Sequence, residues 1–589
     1  MAHVITVELP NDTLTLSAGE GERLYDVIAG AGIQFDAPCG GRCFCGKCRA
    51  IMHDARGELI PGMGEEEARF FTEDERAQGW RLICAVDVHG DIMLKLGSRG
   101  AQIMADSAQI GMESVAPAVT SRVIELSQPS LDDPRSDLDR LNAEANVRLS
   151  LDMMRRLPFA LRECGFKPEV VALRDKALYI GAPGNGLYGV AVDVGTTTMV
   201  AYLMNLEDGS VIDVDSALNP QRVYGGDVIS RSDFASQSEE NGRKMQQLVV
   251  DKLDGMICGM AQRKGIDTGR IFHIVLVGNT TMMHMLAGLT TRNISVSPFI
   301  PAVTSELTLP ARELGFTLAN AMATVGPCVA GYVGADTVAC VLDCGMDRSD
   351  ELCLMVDIGT NGEIALGDKN GIICCSTAAG PALEGAHIKC GMGGVTGAIS
   401  RVNLSDGVDI GVIGGGEAQG ICGSGLVDAI AGMLDRGYID EMGGMDEDEM
   451  GELAGEDAGR PALMLTDSVM ITQRDVREVQ LAKAAIAAGI QTLIAQRGCA
   501  IGDIGALYIA GGFGNYIDRE RAARIGLLPR ELLTRMKPVG NAAGAGAKRM
   551  LMSRAELDRA SDIARSMEYL ELSARADFQD LFVDGMCFE

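Results

Sequence analysis

A turn that occurs twice constrains this chain more than any other feature. The segment YGVAVDVGTTT (188–198) returns as ELCLMVDIGTNGE (351–363). In each copy an apolar strand delivers an aspartate to its end, Asp193 or Asp357, and a turn of glycine and hydroxyl residues follows. Later in each copy an apolar strand runs into glycine and asparagine, as IFHIVLVGNTTMM (271–283) and ALYIAGGFGNY (506–516). Such self-similarity predicts one α/β folding unit used twice, with a cleft between the copies. Spacing is wider in the second copy, which leaves room for an insertion near 400–470.

The residue types in these turns point to phosphate chemistry. Backbone N–H groups and hydroxyls of Gly195, Thr196, Thr197 and Thr198, and of Gly359, Thr360, Asn361 and Gly362, can cradle phosphate oxygens. Asp193 and Asp357 read as catalytic carboxylates that hold Mg2+ through water or orient an attacking water. A single Asp-Gly-Thr turn would be weak evidence, because such turns commonly follow strands. Two in matching positions are specific. Gly511 and Gly512, at the end of LYIAGG, mark a close approach of backbone to an adenine or ribose. Gly423 in ICGSGL (421–426) reads as a second turn of this kind, with a simple packing turn as its alternative. The implied ligand is ATP.

A second constellation lies near the N-terminus, in CGGRCFCGKC followed by GWRLICAV. Cys39, Cys45, Cys48 and Cys84 put three thiols on one glycine-rich loop and a fourth on a returning strand. That pattern suits a four-thiolate [2Fe–2S] cluster, with a first gap one residue longer than in plant-type ferredoxins. Cys43 lies inside the loop as a spare thiol; sets in which it replaces Cys39 or Cys45 stay open. Zinc is the other metal four cysteines could hold, but a zinc ribbon pairs two CxxC-like knuckles and this chain has one.

Composition sets the remaining bounds. At 589 residues the chain exceeds one hydrophobic core, so several domains are expected. The net charge of −29 argues against a nucleic-acid partner. There is no run of about twenty apolar residues and no apolar signal core, so no membrane partner and a cytoplasmic location are expected. Seventeen cysteines in a chain of this length read mostly as small buried hydrophobes in a reducing compartment.

The domain reading is as follows. Residues 1–97 form a β-grasp ferredoxin-like domain: a hairpin turning at Pro10-Asn11-Asp12, a helix near 22–31, the cysteine loop, a strand bearing Cys48, a short helix in TEDERAQ and strands around Cys84 and Ile92–Leu96. Residues 98–120 read as a linker and 121–187 as a small middle domain; 188–589 form the duplicated unit, with halves near 188–345 and 346–589. Gly184, Gly186 and Gly189 spell GxGxxG but open a strand, whereas a dinucleotide fingerprint opens a helix; they read as an interdomain turn. The acidic stretch from Ile439 to Asp457 reads as a solvated loop, and the six histidines show no metal-ligand spacing.

Taken together, the chain resembles the family of reductive activators of corrinoid-dependent enzymes. The resemblance rests on CGGRCFCGKC, GWRLICAV, VDVGTTT, NPQRVYGGDVISR (219–231), VGNTTMMH, VDIGTNGE, ICGSGL, AGGFGNY and YLELSARADFQDLF (569–582). Cys43 departs from it, because the family's loop more often has glycine there. The resemblance implies a multidomain α/β protein: a [2Fe–2S] ferredoxin domain, a small middle domain and a duplicated ATPase of the actin, heat-shock and sugar-kinase type. It also implies Cys39, Cys45, Cys48 and Cys84 as cluster ligands, Asp193 with Thr196–Thr198 and Asp357 with Thr360–Gly362 as phosphate motifs, and Gly511–Gly512 as the adenosine motif. The implied activity is reduction of a Co(II) corrinoid protein to Co(I), fed by an upstream low-potential reductant and driven by ATP hydrolysis. Plant-type clusters sit near about −400 mV, and each about 59 mV of one-electron mismatch disfavours transfer tenfold. Readings from other classes are a ferredoxin joined to a nucleotide sensor that does not hydrolyse ATP, a small-molecule kinase, and a radical-dehydratase activator. A homodimer is compatible with the sequence.

Overall fold

The computed structural model describes residues 2–9, 12–31, 33, 35, 41, 43, 46, 48–96, 115–511 and 517–588. Pro10 and Asn11 of the hairpin turn, Cys39, Gly40, Cys45, Gly512 and residues 97–114 at the start of the expected linker lie outside the described residues.

The N-terminal sheet begins with alternating apolar and polar residues, and these pair as β1 (Ala2–Leu9) and β2 (Asp12–Gly19) in an antiparallel hairpin. With β3 (Arg49–Asp54), β4 (Trp80–Leu82) and β5 (Ile92–Leu96) the order is β2-β1-β5-β3-β4, in which only β1 and β5 run parallel. Helix Leu24–Gly30 buries Leu24, Tyr25 and Ile28 against that sheet, giving the β-grasp arrangement. The expected helix in TEDERAQ runs Glu73–Ala77, opened by a Thr72–Glu75 capping box. Cys48 stands just before β3, and Cys84 lies in a 3-10 turn, Ile83–Ala85, just after β4, so both cysteines sit off the ladder rather than within strands. A buried ion pair braces this corner: Arg81 donates to Glu67 at 2.8 and 2.9 Å, and the Leu82 N–H donates to the same carboxylate at 2.7 Å.

A three-stranded antiparallel sheet of β6 (Val119–Val123), β7 (Glu169–Leu173) and β8 (Lys176–Gly181) follows, covered by helices Asp137–Glu144 and Leu151–Glu163 around a small core. The GxGxxG stretch turns from β8 into the next strand, as its context predicts. It is pinned by Glu169, which accepts from Arg270 at 2.8 and 2.9 Å and from the Gly184 N–H at 3.0 Å.

The duplication is explicit in the two large sheets. The first contains β9 (Tyr188–Val194), β10 (Thr198–Asn205), β11 (Val211–Leu218), β12 (Ile271–Val277), β13 (Leu307–Pro310) and β14 (Met322–Val325), ordered β11-β10-β9-β12-β14-β13. The second half starts with β15 (Leu352–Ile358), β16 (Gly362–Asp368) and β17 (Gly371–Thr377). Residues near 400–470 then add β18 (Ala398–Asn403), β19 (Asp409–Val412) and β20 (Gly420–Ile421) in one small sheet. A second small sheet holds β21 (Ala454–Asp457), β22 (Arg460–Met464) and β23 (Met470–Thr472). With β24 (Ile504–Ala510), β25 (Met536–Gly540) and β26 (Glu568–Tyr569) the second large sheet reads β25-β24-β15-β16-β17-β26. In each half an antiparallel meander of three strands is joined to parallel crossover strands: β9 beside β12, and β15 beside β24. The central strands are near-continuous apolar runs because both faces are covered. Part of the acidic stretch is ordered too, as helix Glu447–Met450 and β21.

Each half closes with a helix, Ala335–Cys344 and Ala542–Met552, and these two cross between the sheets inside one shared core. Gly546 makes the crossing tight: a Cβ there would lie 2.2 Å from the Ala339 carbonyl oxygen.

Replacing Glu67 by alanine leaves Arg81 buried without its carboxylate, which costs about 3–5 kcal/mol. Glu67→Ala should lower the first unfolding transition of the full chain and weaken retention of metal at the cysteine corner, read by calorimetry and metal analysis.

Candidate functional site

The strand ends of the two halves converge as the duplication predicts. Asp193 pairs across the sheet with Val200 and Val277, and Asp357 with Glu363 and Ala510, so the two aspartates hold equivalent register positions. Gly195 leads the first turn, where a Cβ would meet the Thr198 carbonyl oxygen at 2.5 Å; only glycine fits. Gly359 opens the second turn, its N–H donating to the Asn361 carbonyl at 3.0 Å. Gly362, at the start of β16, packs against Thr377, whose hydroxyl would lie 2.7 Å from an added Cβ. Gly511 is left-handed (φ 92°), and a Cβ on it would lie 2.7 Å from Asp357 Oδ1, so the close-approach glycine and the second aspartate share one wall.

Four further groups complete the site, and none was predicted. Glu384 ends the 3-10 turn Pro381–Glu384; its Oε2 accepts from Thr197 Oγ1 at 2.9 Å and from Thr360 Oγ1 at 2.8 Å. One carboxylate therefore clamps the hydroxyl turns of both halves together. Asp336 opens helix Ala335–Cys344, which is seated on the end of β12 by Ala335 N–H donating to the Gly278 carbonyl at 2.9 Å. Asn279 of VGNTT donates to Thr196 Oγ1 at 2.9 Å and caps the next helix. Asn541 hydrogen-bonds Asp193 and caps helix Ala542–Met552. These residues follow strands in ordinary capping positions, and the only sequence signal for them was the Gly-Asn ending of one strand.

Electrostatics set this cleft apart. Asp193 is pushed up to about 7 by desolvation, then by Asp336 and Asp357, with the Asn541 hydrogen bond opposing. Asp357 is pushed up to about 7 by desolvation and by Asp336. Asp336 is pushed up to about 6 by desolvation. Glu363 is raised well above the usual carboxylate range, chiefly by burial. Converging carboxylates of this kind demand protons or a cation, and perturbed titration clusters at functional sites.

Gly423 starts helix Gly423–Arg436, which packs on β18 and on the turn that carries Glu384. The tightest glycine of that motif is Gly425, where a Cβ would lie 2.4 Å from the Ile399 carbonyl oxygen; this is a packing demand.

At the other site, Cys48 and Cys84 bring their Sγ atoms to 3.2 Å in a buried corner, with both thiols free. Two thiolates on one tetrahedral metal with bonds of about 2.3 Å would sit about 3.8 Å apart, so the pair fits a shared metal after a small adjustment. Arg23 donates to the Gly41 carbonyl at 2.6 Å and the Cys84 carbonyl at 3.3 Å, tying the loop to this corner. Cys43 is left-handed (φ 59°) and half-buried. Fifteen cysteines are free among the described residues, and no helix there is long and apolar enough to cross a membrane.

Three family profiles match in succession: the linker region of RACo over residues 112–185, the RACo middle region over 188–349, and the C-terminal ASKHA domain of RACo over 351–589. The corrinoid activation enzyme RamQ of Eubacterium limosum is 37% identical over 420 residues, covering 68% of this chain and 70% of that protein. A [Co(II) methylated amine-specific corrinoid protein] reductase of Methanosarcina barkeri is 26% identical over 432 residues, 67% of this chain and 76% of that protein. Among solved structures, a reductive activator for corrinoid, iron-sulfur protein superposes with a TM-score of 0.75 at 32% identity, covering 100% of this chain and 98% of that one.

Carboxyls that titrate higher folded than unfolded bind protons more tightly in the fold. The stability they allow at low pH is therefore lost as pH rises from about 4, the unfolded value, through about 7. Asp357→Asn should raise the melting temperature by a few degrees at about pH 8 and change it little at about pH 4, in calorimetry without divalent metal. Equal effects at both pH values would contradict the assignment.

Proposed function

Because the chain belongs to the RACo family, the reductive activators of corrinoid proteins, we propose that it reduces the inactive Co(II) form of a corrinoid protein to Co(I), and that ATP hydrolysis drives the reduction. The observation that carries this reading is the presence in one chain of a cysteine corner and a duplicated two-aspartate cleft, along a fold that matches a corrinoid activator end to end.

Cys48 and Cys84, with Cys39 and Cys45, would hold an iron–sulfur cluster of the [2Fe–2S] type, which supplies single electrons at low potential when bound. The protein around it keeps the thiols dry and fixes their carbonyls through Arg23. In the cleft, Thr196–Thr198 and Thr360–Gly362 are suited to hold phosphate oxygens, with Gly511 and Gly512 along the adenosine. Asp193 and Asp357 would hold Mg2+ through water, which answers their mutual repulsion. Asp336, with its carboxyl pushed up to about 6, is suited to take the proton of the water that attacks the terminal phosphate. The electron and the hydrolysis are separate ledgers: Co(II) gains one electron to become Co(I), while ATP and water give ADP and phosphate. The protein partner is the corrinoid protein, and a low-potential donor refills the cluster.

The test mixes Ti(III)-reduced protein with a Co(II) corrinoid protein and follows Co(I) absorbance with and without MgATP. Co(I) should accumulate with MgATP; no Co(I), or accumulation indifferent to ATP, would refute the proposal. Asp357→Ala should abolish ATP-driven reduction while leaving the visible spectrum of the cluster. Cys43→Ser should retain full iron and sulfide content; loss of iron would mean that Cys43 is itself a ligand.

A further inference from the structure

The segment NPQRVYGGDVISR (219–231) contains none of the groups assigned above, yet it touches both sites. On one side it backs the first hydroxyl turn. Asn219 Nδ2 donates to the Gly195 carbonyl and the Asn219 N–H to the Thr197 carbonyl, each at 2.9 Å. Arg231 is fully buried; it donates to the Thr196 carbonyl at 2.6 Å, to the Gly225 carbonyl at 2.8 Å and to Met282 Sδ at 3.5 Å. Among the described residues no carboxylate pairs with it, so its charge lies behind the turn with only carbonyl dipoles and sulfur in contact.

On the other side the same segment enters the ferredoxin-like domain. Its 3-10 turn Pro220–Tyr224 places Val223, 5% exposed, inside that domain's apolar core. The Tyr25 hydroxyl donates to the Val223 carbonyl, and the Tyr224 hydroxyl donates to the Ala29 carbonyl at 3.3 Å. Tyr25 in turn lies against the cysteine loop: a Cβ on Gly41 would sit 3.0 Å from its ring, and Arg23 lies over the same ring. Arg23 is the residue that holds the Gly41 and Cys84 carbonyls.

We propose that residues 219–231 are the coupling element between the nucleotide cleft and the iron–sulfur domain, with Tyr25 and Tyr224 as its positioning residues. The inference rests on the function proposed above. A phosphate seated on the Thr197 and Thr360 hydroxyls takes the place of the Glu384 carboxylate, which now accepts from both. The first turn must then shift, and the Asn219 and Arg231 hydrogen bonds carry that shift into the Pro220–Tyr224 turn. Nucleotide binding therefore loosens the seat of the ferredoxin-like domain. By linkage, loosening the seat tightens nucleotide binding by the same factor.

The full, cluster-loaded chain is compared with the Tyr25→Phe/Tyr224→Phe variant by hydrogen exchange and by titration with the non-hydrolysable analogue MgAMPPNP. In the parent, the analogue should speed amide exchange in residues 24–31 and 219–225. In the variant, exchange there should already be fast and indifferent to the analogue, and the analogue should bind about fivefold more tightly, the worth of one ordinary hydrogen bond. The visible spectrum of the variant checks that its cluster corner is intact, and the single Tyr224→Phe variant gives an intermediate case if the double one is unstable. A parent that binds the analogue with unchanged or slowed exchange at these segments overturns the coupling, as does an unchanged affinity in the variant. A parent that binds no analogue overturns the nucleotide reading itself.

Discussion

Five carboxylates gathered around one cleft are the condition on which the architecture turns. Asp193, Asp357, Asp336, Glu363 and Glu384 come from strand ends, a helix start and a short 3-10 turn, and burial raises the first four. Like charges at such density would push the two halves apart unless protons, hydroxyl donors or a cation answer them. The fold supplies part of the answer internally. Thr197 and Thr360 donate to Glu384, Asn541 to Asp193, and the Thr337 N–H and hydroxyl to Asp336. The remainder is left for a ligand, so the site's affinity for a cation and its reluctance to stay ionised when bare have one cause.

Much of this was legible because it is local. The Asp-Gly-Thr turns carry their own signature: an apolar strand, an acid at its end and a glycine whose Cβ has no room. The β-grasp domain announced itself through an alternating hairpin and closely spaced cysteines. Asp336, Glu384 and Arg231 were illegible for the opposite reason. Each follows an ordinary turn or lies in an ordinary helix, and it acquires a role only when a distant segment packs against it. Glu384 lies 24 residues from Thr360 and 187 from Thr197, separations over which sequence pattern carries no register. The cysteines were read onto strands but stand just off them, because a thiol that must converge with others cannot obey the in-out alternation of a ladder.

The two sites differ in how they are held. The cysteine corner depends on one buried salt bridge and on carbonyls fixed by Arg23, so its geometry is maintained by polar contacts within a small core. The cleft is framed by two six-stranded sheets and a core that runs through both halves. A small, polar-braced domain beside a large, stiff one divides the labour: the large unit carries the mechanical work and the small one keeps a precise redox geometry.

The contact between Gly546 and Ala339 gives the large unit its mechanical character. Where backbone meets backbone, no side chain has to change rotamer when the two halves turn about each other. The crossing behaves as a low-friction axle, and the rigid sheets on either side act as lever arms. A rotation of a few degrees at that axle is invisible to the core yet displaces the outer ends of the sheets by much more. An engine built this way can cycle repeatedly without melting and reforming its interior at each stroke.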